Sequence, residues 1–224
     1  MRKLKDRFIQ SSSQPKHTSG YSPMRYDLEI VASWIQPGSR VLDLGCGEGI
    51  LLYHLKHKQN ASCTGIENKE TKVLKCIKKG LTVVQGDINE EVKDYKDNTF
   101  DYVILSQTLQ QVFEPESLIQ DLVRIGHQVI VSFPNFSHWN IRLQSLFKGV
   151  APVSPQLPYA WYNTPNIRTV TIKDFKKFIR DFKFKVVREA AINTHSEDFS
   201  GRIIYLLPNL RATYGIFMIE KIDQ

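Results

Sequence analysis

Cysteine is nearly absent from this 224-residue chain: Cys46, Cys63 and Cys76 are its only three, and no two form a C-x-x-C pair. So sparse and odd a set gives no disulfide framework and points to reduced thiols in a cytoplasmic setting. No apolar run is long enough to span a bilayer, and none follows the basic N-terminus as the core of a signal peptide would. No membrane association, internal repeat or metal site is expected. Acidic residues are outnumbered, 23 Asp and Glu against 30 Lys and Arg, but the imbalance is local. Residues 1–26 hold Arg2, Lys3, Lys5, Arg7, Lys16 and Arg25 against Asp6 alone, together with Ser11-Ser12-Ser13. Residues 1–25 therefore read as a basic, flexible extension rather than a nucleic-acid arm, and the nearly balanced remainder offers a polyanion little attraction.

Residues 26–224 suit one well-packed domain, in a chain that is 42% hydrophobic. From Tyr26 onward, helical and strand periodicities alternate. Strands are predicted near 40–44, 62–66, 81–85, 100–105 and 127–132. Helices are predicted between them, one with Val73, Leu74 and Ile77 at helical spacing before a C-capping Gly80, and one with Leu118, Ile119, Leu122 and Val123 facing inward. Repeated strand–helix units imply an α/β fold with a parallel sheet and helices on both faces. The pattern then breaks. Five of the ten prolines (Pro134, Pro152, Pro155, Pro158, Pro165) and many aromatics fall in an insertion at about 134–170, a composition that suits a lid or binding loop. A capped helix from Thr171, with Phe175, Phe178, Ile179 and Phe182 as its apolar stripe, and two strands near 184–190 and 214–220 complete the chain.

The richest local signal is Val41-Leu42-Asp43-Leu44-Gly45-Cys46-Gly47-Glu48-Gly49: an apolar strand stopping at three alternate glycines before a helix. Glu67 ends the next apolar run, about 20 residues on, where a ribose-binding carboxylate belongs. The spacing is G-x-G-x-G, and Ile50 stands where the third glycine of a nicotinamide fingerprint would fall. The motif resembles motif I of class I S-adenosylmethionine-dependent methyltransferases, whose Rossmann-like fold has a seven-stranded, mostly parallel sheet ending in antiparallel strands. That resemblance implies a site for S-adenosylmethionine or S-adenosylhomocysteine. Asp43, Gly45, Gly47 and Gly49 would surround the methionine moiety, and Glu67 would accept both ribose hydroxyls. Asp87 would lie beside the adenine amino group with Ile88 against the ring, and Ser106 would lie at the end of the fourth strand.

The fourth strand ends in Ser106-Gln107-Thr108-Leu109-Gln110-Gln111-Val112, with no Asn-Pro-Pro-Tyr and no His or carboxylate before Glu114. Methyl transfer to a good nucleophile needs mainly alignment, whereas an alcohol or carbon acceptor also needs a base. Catalytic residues are therefore unassigned; Gln107, His138, Tyr159 and Tyr162 are the candidates for reaching the pocket, with lid packing as the alternative role for the aromatics.

Ser132-Phe133-Pro134-Asn135-Phe136-Ser137-His138-Trp139 and Leu157-Pro158-Tyr159-Ala160-Trp161-Tyr162-Asn163-Thr164-Pro165-Asn166-Ile167 are more specific than the glycine turn. With Ser106–Gln110 and Arg142-Leu143-Gln144, they resemble the methionine biosynthesis protein MetW family over roughly residues 26–185. Arg168 stands where that pattern has a histidine, so no role is carried over to it. The resemblance implies a protein that supports homoserine O-acyltransferase, with S-adenosylmethionine as an end-product signal. The rival reading is a free-standing methyltransferase acting on a small molecule. Nucleic-acid modification through the basic extension is a third.

Overall fold

Near-continuous apolar runs along the central strands give the sheet two buried faces, and this determines where the helices lie. The computed structural model describes residues 24–194 and 199–222. The first half runs α1 (Tyr26–Trp34), β1 (Arg40–Leu44), α2 (Ile50–Gln59), β2 (Ser62–Glu67), α3 (Glu70–Lys78), β3 (Thr82–Gln85), α4 (Ile88–Glu91) and β4 (Phe100–Ser106). It continues with α5 (Pro115–Ile125), β5 (Gly126–Pro134), α6 (Trp139–Leu143), a π-helical turn (Gln144–Lys148), α7 (Ile172–Asp181), β6 (Phe184–Asn193), β7 (Arg202–Ile203), α8 (Pro208–Arg211) and β8 (Tyr214–Lys221). The sheet order is β3-β2-β1-β4-β5-β8-β6-β7. β1 to β5 pair in parallel, whereas β8 runs antiparallel to both β5 and β6.

Leu42, Leu44, Val103, Leu105, Val131 and Phe217 point to one face, under α5 and α7. Val41, Ile104, Ile130, Ile216 and Met218 point to the other, under α1 and α2. Asp43 alternates with Leu42 and Leu44, so it shares the second face with Val41, beneath α1. The switch in strand order lies between β1 and β4, and their carboxyl ends frame the crevice where an open α/β sheet binds ligands.

The expected seven strands become eight. The additional one, β7, is a two-residue edge strand held by Ile192↔Ile203 and Asn193↔Arg202; two residues are too few to show a period. In α3, Leu74 and Ile77 are exposed, at 48% and 55%, and the inward partner of Val73 is the fully buried Cys76. Gly80 ends the helix with φ +69° and donates its N–H to the Ile77 carbonyl, and Thr171 caps α7 by accepting from the Asp174 N–H at 3.1 Å. Met24 and Arg25, the last residues of the expected extension, contact the domain: Met24 is buried with α1 and Arg25 ion-pairs with Asp27. The rest of that segment, residues 1–23, lies outside the described residues.

Candidate functional site

β1 delivers Asp43 to the sheet's upper edge, where three glycines turn the chain into α2. Gly45, Gly47 and Gly49 take φ values of +71°, +59° and +71°, which only glycine adopts without strain. Their surroundings differ. A Cβ on Gly45 would lie 2.8 Å from Thr108 Oγ1, and one on Gly49 would strike Leu81 and lie 2.9 Å from Cys76 Sγ. Gly45 and Gly49 are thus packing glycines that bring the turn against the β4 loop and α3. Nothing lies within 4 Å of the same position on Gly47, so its face is open to a close-approaching ligand.

Glu67 is a buried carboxylate, 4% exposed, and not the solvated strand-end charge its position would also allow. Its Oε2 accepts the Gly47 N–H at 3.0 Å and its Oε1 the Lys69 N–H at 2.9 Å; Lys72 Nζ stands 4.0 Å away. Two backbone donors use half of the roughly four lone-pair positions of a carboxylate, leaving capacity for two hydroxyl donors. Asp43 is equally buried. Burial pushes its carboxyl up to about 7, Arg25 opposes that shift, and the Glu67 charge adds to it. Cys46, within the turn, is a space-filling residue: burial first and Asp43 second hold its thiol protonated.

At β3, Asp87 caps α4, its Oδ1 accepting the Asn89 N–H at 2.8 Å, while Ile88 packs against the core. The side chain therefore has a structural task irrespective of any adenine. At β4, Ser106 Oγ lies 3.0 Å from Ser132 Oγ. Gln107 holds φ +52°, fixed by its N–H bond to the Ser132 carbonyl, and its Nε2 donates to Asp27 Oδ2 at 2.6 Å. The amide is thus committed to α1. Asp27, only 2% exposed, also takes two 3.1 Å bonds from Arg25. The Tyr214 hydroxyl is buried without a hydrogen-bond partner among the described residues; burial, then the Asp27 charge, hold it protonated, with Arg25 opposing.

Sequence reasoning missed this Arg25–Asp27–Gln107–Tyr214 cluster. One signal was available: Asp27 occupies the same helical phase as Val31, which makes it a carboxylate in an inward stripe.

His138 caps α6, its Nδ1 accepting from the Asn140 N–H at 3.4 Å, and burial lowers its pKa. Tyr159 and Tyr162 lie in the insertion, 48% and 74% exposed. Asn135, 1% exposed, accounts for much of the surrounding signature. It donates to the Asn209 and Ala212 carbonyls at 3.0 and 2.9 Å and accepts from Ser137 N. Ser137 in turn binds Arg142 and Asn209. These residues fasten the insertion to the sheet. Among the described residues there is no cluster of three or more His, Cys, Asp or Glu able to hold a metal, and no helix long and apolar enough to cross a membrane.

The family model of methionine biosynthesis protein MetW matches residues 25–219, nearly all of the described chain. The chain belongs to the MetW family. A bifunctional methionine biosynthesis protein MetXA/MetW from Rhodopirellula baltica is similar at 31% identity over 79% of this chain. The MetW-family chain spans 30% of that relative's length. The fold is that of the class I S-adenosylmethionine-dependent methyltransferases. One such enzyme from Archaeoglobus fulgidus superposes with a TM-score of 0.63 at 18% identity, covering 87% of this chain and 91% of its own. The [4+2]-cyclase SpnF superposes at 0.61 and 16% identity, over 88% of this chain and 81% of that one. At such identities the likeness shows the fold and no particular chemistry.

The residues of this MetW-family chain fit the cofactor its fold implies. Gly47 presents an open backbone face, Glu67 has unused acceptor capacity beside it, and Asp43 is a buried carboxylate suited to a cationic neighbour. Gly49→Ala should lower stability by about 2 kcal/mol through overpacking and the strained φ, a melting-temperature loss of roughly 4–8 °C. Gly47→Ala, with room for its methyl, should cost less stability and more cofactor affinity. Thermal melts and calorimetric titration of both variants separate the two roles; equal losses in both assays would contradict the division.

Proposed function

We propose that this MetW-family chain binds S-adenosylmethionine at the ends of β1, β2 and β3, and supports homoserine O-acyltransferase as a cofactor-sensing accessory protein. The reading is carried by the relative in which MetXA and MetW are one polypeptide. Fusion keeps two activities at high mutual concentration, an advantage when they act together. In this reading Asp43 and the three glycines receive the methionine end, Glu67 the ribose hydroxyls, Asp87 and Ile88 the adenine, with Ser106 closing the pocket at β4. The cofactor itself would supply an electrophilic methyl group. This chain's residues would bind and orient it, and among the described residues the one imidazole candidate, His138, is taken up in capping α6 while the Gln107 amide donates to Asp27.

The rival reading is a free-standing methyltransferase acting on a small molecule. Incubation with S-adenosylmethionine, homoserine and a cell metabolite extract distinguishes the two. The accessory reading expects less than one S-adenosylhomocysteine per chain; sustained turnover with any metabolite would overturn it.

Asp43 gives the cofactor reading a pH signature. A carboxyl titrating near 7 in the free protein must ionise to pair with the cofactor's positive charges, so binding releases a proton. Affinity should fall by up to about tenfold per unit as pH drops below 7, and level off above it. Asp43→Asn should abolish that slope. Titrations between pH 5.5 and 8.5 read it directly, and an identical slope in the variant would remove Asp43 from the linkage.

A further inference from the structure

The outward stripe of α6 and the π-helical turn is the surface that the proposed accessory role requires. Trp139, Leu143, Leu146 and Phe147 recur at helical spacing and are 49%, 40%, 74% and 77% exposed, while Ile141 on the same segment is 6% exposed. The segment is thus amphipathic with its larger apolar face turned to solvent. It is also firmly mounted: Arg142 donates to the Ser137 carbonyl at 2.8 Å, Ser137 is held by Asn135 and Asn209, and Gln144 accepts from the Val153 N–H at 3.3 Å. A π-helical turn is rare and concentrates at functional positions. Rigid, exposed aromatic and aliphatic side chains are what interface centres are built from.

Charge narrows the occupant. No Asp or Glu occurs between Asp121 and Asp174, a stretch in which Arg142, Lys148 and Arg168 are the cations of the insertion. The complementary surface is therefore an apolar groove with an acidic rim. We infer that homoserine O-acyltransferase covers this stripe, an assignment that rests on the accessory reading above and locates its contact. The bifunctional MetXA/MetW relative supports that pairing, and the stripe is a large apolar surface on the MetW side that no described residue covers.

The test uses the full chain and the homoserine O-acyltransferase of the same organism, with binding measured by interferometry. The double variant Leu146→Asp, Phe147→Asp should raise the dissociation constant at least tenfold. S-adenosylmethionine titration of the same variant should be unchanged, which shows that it has folded. Ile77→Asp, on α3 beside the β3 edge of the sheet and away from β5 and the insertion, where Ile77 is 55% exposed, should bind the acyltransferase as the unsubstituted chain does. Unchanged binding by the double variant overturns the assignment. So does a self-association of the unsubstituted chain that the double variant abolishes while acyltransferase binding persists, because a second copy would then cover the stripe. If the unsubstituted chain does not bind the acyltransferase, the accessory reading fails along with the surface, and the variants are not needed to show it.

Discussion

Glu67→Ala is expected to weaken S-adenosylmethionine binding about a hundredfold while leaving the chain folded. Two hydroxyl bonds to a carboxylate are each worth about 1.5 kcal/mol, and 1.4 kcal/mol is tenfold in affinity. The loss has a second source, because Glu67 also holds the Gly47 and Lys69 amides and so shapes the open turn. Glu67→Gln keeps the size but turns one oxygen into a donor facing an N–H, so it should fall between the parent and the alanine variant. Calorimetric titration beside a thermal melt separates binding from folding. Undiminished affinity in Glu67→Ala would take Glu67 out of the site.

Asp27→Ala should be the most damaging single change near the crevice. The buried carboxylate accepts from Arg25 Nε and Nη2 and from Gln107 Nε2, so its removal strands an amide and weakens the hold of α1 on the β4 loop. Arg25 is about one-third exposed and can be rehydrated, which moderates the cost. About 3 kcal/mol remains for the unpaired groups, equivalent to a melting-temperature loss of roughly 6–12 °C. Asp27→Asn keeps an acceptor for Gln107 and should lose less. A melt within 2 °C of the parent for Asp27→Ala would show that the cluster contributes little to holding the helix.

The glycine turn and Glu67 were legible in the sequence because residue identity carries the information. Positive φ selects glycine, and a carboxylate ending an apolar strand draws notice, while the burial that sets Glu67 apart from a solvated strand-end charge required coordinates. The parallel sheet was legible because its strands are apolar runs of four residues or more separated by helical spacing, and β7 was not because it has two. The Asp27–Gln107 bond joins residues 80 apart, so only the packed fold reveals that Gln107 is engaged. His138, Tyr159 and Tyr162 were candidates on residue type alone. Type does not encode that one ring caps a helix and that the others face solvent. The specific Ser132–Trp139 segment was legible as a family signature, while its physical reason, the Asn135 and Ser137 network fastening the insertion, required coordinates.

The most direct measurement is the rate of the same organism's homoserine O-acyltransferase, with and without this chain at matched concentration, across a titration of S-adenosylmethionine. The account predicts a clear rise in acyl transfer on adding the chain, and a change in that rise as cofactor saturates the Glu67 site. An unchanged rate at every cofactor concentration, with no co-purification of the two proteins, would contradict it.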